Sequence, residues 1–128
     1  MTDLTTIDLT RTIDTHLSAL NEPDPATRAM LIEQVWVPTG RQTDPPIAGV
    51  GHAGINEIGD AVQTHYAGHQ FRRVSGIDEH HGEFRYAFEL VASDGTVAMT
   101  GLDVGEVDDD GMLVRITGFF GDLPTQGD

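Results

Sequence analysis

The sequence contains no cysteine, and all 7 of its basic residues are arginine, so it has no lysine either. Without a thiol the chain has no disulfide, no thiolate metal ligand and no cysteine nucleophile. Without a lysine amine it has no Schiff-base or pyridoxal chemistry. The absence of cysteine leaves the redox compartment open. Covalent catalysis through a thiol or an amine is therefore excluded.

Basic charge is scarce as well, because 7 arginines stand against 21 acidic residues and give a net charge of −14. Nucleic acids and anionic membrane surfaces carry charge of the same sign, so neither is expected as a partner. No apolar run approaches the roughly 20 residues that a membrane span needs. The first residues also lack the basic start and apolar stretch of a signal peptide. We expect a cytoplasmic location.

The 128 residues predict one domain over 1–128, with a frayed tail at 124–128 after Pro124. Apolar residues spaced mostly by three and four predict a first helix that ends near Asn21. These residues are Leu4, Ile7, Leu9, Ile13, Leu17 and Leu20. Asp24 as N-cap and Pro25 at the first position predict a second helix, which Pro38 and Gly40 stop. A third helix is expected to begin near Gly51 and to end by Gly68.

Strands dominate the second half of the chain. Residues 41–50 read as a short strand ending in a rigid Asp-Pro-Pro turn. Alternating apolar residues predict strands at 83–92, 96–107 and 112–120, joined by turns at 93–95 and 108–111. Three N-terminal helices would then pack on one face of a curved antiparallel sheet, which is an α+β arrangement.

Particular residues within this order of elements resemble the NTF2-like superfamily, especially its SnoaL-like and ketosteroid-isomerase-like members. The likeness covers about residues 8–123 in short pieces. The matching pieces are His16 to Asn21 with Asp24, Thr43-Asp44-Pro45, Gly51 to Ile55, Gly101-Leu102-Asp103-Val104, Asp110-Gly111 and Arg115 to Gly121. The resemblance implies a cone-shaped sheet and helices that together enclose an apolar pocket for a small molecule.

Two carboxylates carry over from the steroid isomerases by motif. Asp44 falls where those enzymes have the proton-shuttling base, and Asp103 falls where they keep a protonated acid as oxyanion donor. Their tyrosine donor on helix one is replaced here by His16. A neutral imidazole can donate one N–H, and an imidazole that titrates near pH 6 to 7 would add a pH dependence. A satisfied core histidine is the alternative at this position.

Asp103 is also informative without the family. It shares a strand face with apolar residues and glycines, so an ionised carboxylate there would be costly. We therefore expect it to be protonated, with a raised pKa, or paired with a buried arginine such as Arg85 or Arg115. Asp44 has an ordinary alternative too, because aspartate before proline commonly caps turns.

Aromatic residues and histidines supply the remaining candidates. By resemblance, Trp36, Phe88 and Phe120 are the candidates for contact with a ligand, although aromatic residues mostly pack in cores. His65 and His69 are four residues apart, but Gly68 should break the helix between them. His80 and His81 should point to opposite strand faces. No metal site is therefore expected.

The sequence favours a cofactor-free enzyme that moves a proton on an apolar carbonyl compound, by isomerisation, cyclisation or dehydration. No glycine pattern for binding a phosphate-bearing cofactor is present. One alternative is a non-catalytic ligand-binding or dimerisation module with the same cone. Another is an epoxide hydrolase, which requires an Asp-Arg-Asp cluster, with Arg85 as the candidate arginine. Apolar residues on both sheet faces also predict a homodimer.

Overall fold

A computed structural model describes residues 2–127, with side chains from Leu9 onward. The helices are α1 (Thr2–Asn21), α2 (Pro25–Val35) and α3 (Gly51–His65). The strands are β1 (Trp36–Asp44), β2 (Ile47–Val50), β3 (Gln70–Arg73), β4 (Asp78–His80), β5 (Glu83–Val91), β6 (Val97–Val107) and β7 (Leu113–Phe120). The three helices and the three long C-terminal strands agree with the sequence prediction.

The helices begin where local chemistry predicts. The Asp24 carboxylate accepts a hydrogen bond from the backbone N–H of Thr27 at 3.0 Å, and Pro25 occupies the first position of α2. In α1 the predicted apolar residues from Leu9 onward are buried, whereas the side chains of Leu4 and Ile7 lie outside the described part. α1 and α3 therefore pack against the sheet through their buried faces.

The transition from α2 to β1 comes earlier than predicted. Trp36 is already extended, with φ −109° and ψ 137°, although its N–H still bonds to the carbonyl of Ile32. β1 therefore starts five residues before the expected position 41 and includes Pro38. Proline is tolerated there because the register of β1 on β7 is interrupted between Trp36 and Arg41.

The seven strands form a curved, unclosed mixed sheet in the order β2-β1-β7-β6-β5-β3, with β4 also paired to β5. β1 runs parallel to β7, whereas the other pairs are antiparallel. The expectation of a purely antiparallel sheet is wrong for this one pair. β3 and β4, which the sequence did not predict, extend the sheet beyond β5.

The core lies between the helices and the concave face of the sheet, and it includes Ile13, Leu17, Ile55, Phe84 and Ile116. Arg28 of α2 is fully buried and binds α3 through Asn56 and Asp60. None of the helices in the described part combines the length and apolar character that crossing a membrane requires.

Candidate active site

A cavity of about 550 Å³ opens between α3 and the concave face of the sheet. Its size is within the range of small-molecule sites. Its polar lining residues are Asp44, His65 and Tyr66. The other lining residues are Pro46, Ile47, Ile58, Ala61, Val62, Phe71, Met99 and Phe120. The cavity is therefore mainly apolar, with a carboxylate in its wall.

Asp44 is the last residue of β1, and the following Pro45-Pro46 turn ends the strand beside the cavity. The Nε2 atom of Gln42, on the same face of the strand, donates a hydrogen bond to Oδ2 of Asp44 at 3.2 Å. Burial raises the pKa of Asp44, while this hydrogen bond lowers it. The net rise makes Asp44 a stronger base than an exposed aspartate.

Asp103 lies in the middle of β6 on the concave face and is only 5% exposed. The hydroxyl of Tyr86, opposite it on β5, donates a hydrogen bond to Oδ2 of Asp103 at 2.5 Å. Burial raises the pKa of Asp103 to about 7; the Tyr86 hydrogen bond opposes this rise, and Asp44 adds to it. Asp103 therefore holds its proton up to near-neutral pH.

The arginines proposed as partners of Asp103 pair with other acids. Arg85 binds Asp78 at 2.8 Å, and Arg115 binds Glu83 at 2.6 Å. Alternation along β5 places Arg85 on the face opposite to Tyr86. Among the described residues that line the cavity, none is an arginine. The Asp-Arg-Asp cluster that an epoxide hydrolase needs is therefore not formed with Arg85.

The two carboxyl groups approach each other beside Gly118 of β7. Gly118 pairs with Asp103 of β6, while its neighbour Thr117 pairs with Thr43 of β1. A methyl group at Gly118 would collide with Oδ1 of Asp44 and would come within 3.0 Å of Oδ1 of Asp103. Both carboxyl groups thus border one small space that only a glycine leaves open. Asp44 lines the cavity, and Asp103 lies beside it without lining the cavity itself.

His16 is fully buried on α1, and its Nδ1 accepts a hydrogen bond from the Trp36 indole at 3.2 Å. Burial lowers the pKa of His16 to about 3, so the ring stays neutral and the expected titration between pH 6 and 7 is wrong. Because Nδ1 accepts, the proton is on Nε2. Within the described part of the chain, His16 Nε2 and Gln42 Oε1 are buried without a partner. His16 does not line the cavity, and its catalytic role stays a prediction.

The three aromatic candidates lie at different depths. Phe120 lines the cavity, whereas Phe88 lies in the core and packs edge-to-face against Phe120 with ring centroids 6.3 Å apart. Trp36, the first residue of β1, is buried, and its ring occupies the space over Gly40 of the same strand. Phe88 thus packs behind the cavity wall, whereas Trp36 packs against Gly40 and His16 in the core.

No family model and no curated protein matches the chain. Solved structures do match the chain. A SnoaL-like family protein from Agrobacterium tumefaciens C58, provisionally named an isomerase, has 28% identity and a TM-score of 0.84, over 91% of this chain and 99% of that one. The chain has the NTF2-like fold, in the form found in SnoaL-like proteins. The resemblance inferred from the sequence is confirmed.

More distant structures share the NTF2-like fold. An NTF2-like superfamily protein from Salmonella enterica serovar Typhimurium LT2 has 18% identity and a TM-score of 0.71, over 100% of this chain and 99% of that one. A protein from Sinorhizobium meliloti, provisionally named a polyketide cyclase, has 12% identity and a TM-score of 0.67, over 89% of this chain and 98% of that one. At these identities the likeness concerns the fold alone.

Four residues of this NTF2-like site were not predicted from the sequence: Gln42, His65, Tyr66 and Tyr86. Strand alternation places Gln42 on the same face as Asp44 and Tyr86 on the same face as Phe84 and Phe88. Helical spacing likewise places His65 and Tyr66 one turn after Ala61 and Val62. The alternation or spacing that places each residue was present in the sequence, but each residue also fits an ordinary core or surface role.

Proposed function

We propose that the chain is a cofactor-free enzyme that moves a proton on an apolar carbonyl compound, by isomerisation, cyclisation or dehydration. The observation that supports this most directly is the pair of carboxyl groups over Gly118, with Asp44 in the wall of an apolar cavity and Asp103 beside it. Carboxyl groups in unlike environments can act as acid and base at the same pH.

In this reaction the Asp44 carboxylate takes a proton from the carbon next to the substrate carbonyl. The electron pair of that C–H bond moves onto the carbonyl oxygen and forms an enolate. Where the carbonyl reaches toward the space over Gly118, protonated Asp103 donates a hydrogen bond to that oxygen, which stabilises the developing charge. Asp44 then returns the proton to the same carbon or to another one. The apolar lining of the cavity suits a hydrophobic substrate and limits the access of water.

The test is deuterium exchange at the carbon next to a carbonyl, measured by NMR in D₂O on a panel of steroid, polyketide and terpenoid ketones. Wild-type protein is expected to accelerate the exchange of at least one compound. Asp44→Asn should lower the exchange rate by about 10²–10⁴-fold, because the base is lost. Asp109→Asn, in an exposed turn, is the matched control and should exchange at the wild-type rate.

The pH dependence of this exchange follows from the two pKa directions. The rate rises as Asp44 loses its proton, and it falls above about pH 7 as Asp103 loses the proton that it donates. The profile is therefore bell-shaped. Compounds that bind but exchange equally fast with wild type and Asp44→Asn would contradict catalysis and indicate the ligand-binding module instead.

A further inference from the structure

The hydrogen bond between Tyr86 and Asp103 links β5 to β6 under the carboxyl pair. Tyr86 is one of only two tyrosines in the sequence, and its side chain is almost fully buried. Its hydroxyl lies 2.5 Å from Oδ2 of Asp103. The other tyrosine, Tyr66, lines the cavity and packs edge-to-face against His69. The two tyrosines are therefore in distinct surroundings.

In this hydrogen bond the Tyr86 hydroxyl is the donor and Oδ2 of Asp103 is the acceptor. Burial, and after it the negative charge of Asp103, raise the pKa of the Tyr86 hydroxyl well above its usual range, so it keeps its proton. While Tyr86 donates this hydrogen bond, Oδ2 of Asp103 is the acceptor. A protonated carboxyl group carries a single O–H, so its proton is on the other oxygen. That oxygen, Oδ1, faces the space over Gly118 that Asp44 also borders.

The charged groups around this pair come from three other elements. β1 contributes Asp44, whose negative charge raises the pKa of both Asp103 and Tyr86. α1 contributes Asp14, whose negative charge raises the pKa of Tyr86. Arg73 of β3 is bound to Asp14 at 2.8 Å. Tyr86 of β5 is thus the group that donates a hydrogen bond directly to Asp103.

We propose that Tyr86 is a positioning residue, whose hydroxyl holds the proton of Asp103 on Oδ1 and so aims it at the space shared with Asp44. This inference rests on the proposed function, in which Asp103 is the hydrogen-bond donor to the substrate oxygen. A carboxyl group free to place its proton on either oxygen would present the donor only part of the time. Tyr86 keeps the proton on one oxygen without contacting the substrate.

The hydrogen bond can be tested without a substrate, by NMR of protein labelled with ¹³C at the ζ carbon of tyrosine. Two signals are expected, and Tyr66→Phe identifies the one that belongs to Tyr66. The Tyr86 signal should shift with a midpoint near pH 7 as Asp103 ionises, and this shift should be lost in Asp103→Asn. A Tyr86 signal whose titration is the same in wild type and Asp103→Asn overturns the proposal.

The effect on the reaction is tested with Tyr86→Phe. The lost hydrogen bond lowers the pKa of Asp103 in the wild type, so the high-pH limb of the exchange profile should move to higher pH in the variant. The maximal rate should fall by about tenfold, less than the roughly 10²-fold cost of losing a direct donor. Asp109→Asn, in the exposed turn, is the control for the position of the limb, which it should leave unchanged.

The outcomes separate the two proposals. A high-pH limb at the wild-type position in Tyr86→Phe would assign Tyr86 to packing alone and overturn the positioning role. Exchange that is equal in wild type and Asp44→Asn would instead contradict the proposed function, even where the NMR titration of Tyr86 follows Asp103. The NMR measurement needs only wild type, Tyr66→Phe and Asp103→Asn. It therefore tests whether Tyr86 is hydrogen-bonded to Asp103 even if Tyr86→Phe does not fold.

Discussion

At the scale of single residues, Asp103 makes the stability of the fold depend on pH. Its pKa rises from 3.8 in the unfolded chain to about 7 in the folded one. The unfolded state therefore releases this proton first, and the free energy of unfolding falls between about pH 4 and pH 7. The total loss is roughly 4 kcal/mol. Asp103→Asn removes the titration, so the variant should be more stable than wild type at pH 8, as measured by urea unfolding.

The comparison needs a carboxylate exposed to solvent. Asp109→Asn changes the net charge by the same amount in an exposed turn, and it should follow the wild-type dependence on pH. An Asp103→Asn variant that is less stable than wild type at pH 8 would show that the ionised carboxylate contributes to the fold. That result would contradict the assignment of Asp103 as a buried acid.

The sequence identified this pair of carboxyl groups but not the residues that hold them. Alternation predicted Asp103 on an apolar face, and the family resemblance predicted Asp44. The partner of Asp103 depends on the register between β5 and β6, which a bulge shifts between Leu90 and Val91. Counting back from the turn at 93–95 therefore misses the pairing of Tyr86 with Asp103. The neutral state of His16 depends on how deeply it is buried, which periodicity alone does not give.

At the scale of elements, Arg28 joins α2 to α3 and to the turn that precedes α2. It donates to the carbonyl of Glu22 and to the side chains of Asn56 and Asp60, the last at 2.6 Å. Because its side chain is 0% exposed, these groups lose buried hydrogen bonds when it is removed. Arg28→Met should lower the free energy of unfolding by about 1–3 kcal/mol, because part-buried acceptors lose their donor. Urea unfolding at constant pH measures this change.

Arg72 offers the matched control on the surface. It pairs with Glu89 at 2.7 Å, but its side chain is 59% exposed. Arg72→Met should cost about 1 kcal/mol or less, because solvent screens the pair. Equal losses for the two variants would mean that the buried network of Arg28 contributes no more than a surface ion pair.

Local patterns predicted the long elements well and the short ones poorly. The capping residue of α2 and the alternation in β5 to β7 are signals within a few residues, and the structure confirms them. β3 and β4 have only 4 and 3 residues, which is too few for a recognisable period. The parallel pairing of β1 with β7 was not predicted, because neither strand contains a local signal for its distant partner.

At the scale of the whole molecule, the convex face of the sheet has an exposed apolar row. Ala87, Leu102 and Phe119 lie side by side on β5, β6 and β7, and Leu102 and Phe119 are 38% and 55% exposed. Four of the seven arginines also lie on this face, on β1, β3, β5 and β7. They are Arg41, Arg72, Arg85 and Arg115. Three of these arginines pair with acids of the same face, Glu89, Asp78 and Glu83, so their charges are offset there within a chain of net charge −14.

We propose that two copies pair through this face, as the apolar pattern of the strands predicted. Light scattering at micromolar concentration should give the mass of a dimer. Phe119→Glu should reduce the mass to that of a monomer, because it places a charge in the apolar row. Leu123→Glu, in the exposed C-terminal segment, should leave the dimer intact. A monomeric wild-type protein would contradict this proposal.

The parallel pairing of β1 with β7 also bears on the order of folding. Thr43 and Thr117, which pair across these strands, are 74 residues apart in the chain. Contacts of such long range close a large loop and lose much chain entropy, so they form slowly. Asp44 reaches Gly118 and Asp103 only through this pairing. A chain that has formed its helices and the β5–β6 hairpin, but has not yet closed β1 onto β7, therefore has no carboxyl pair. The capacity for proton transfer would arise only once this closure has formed.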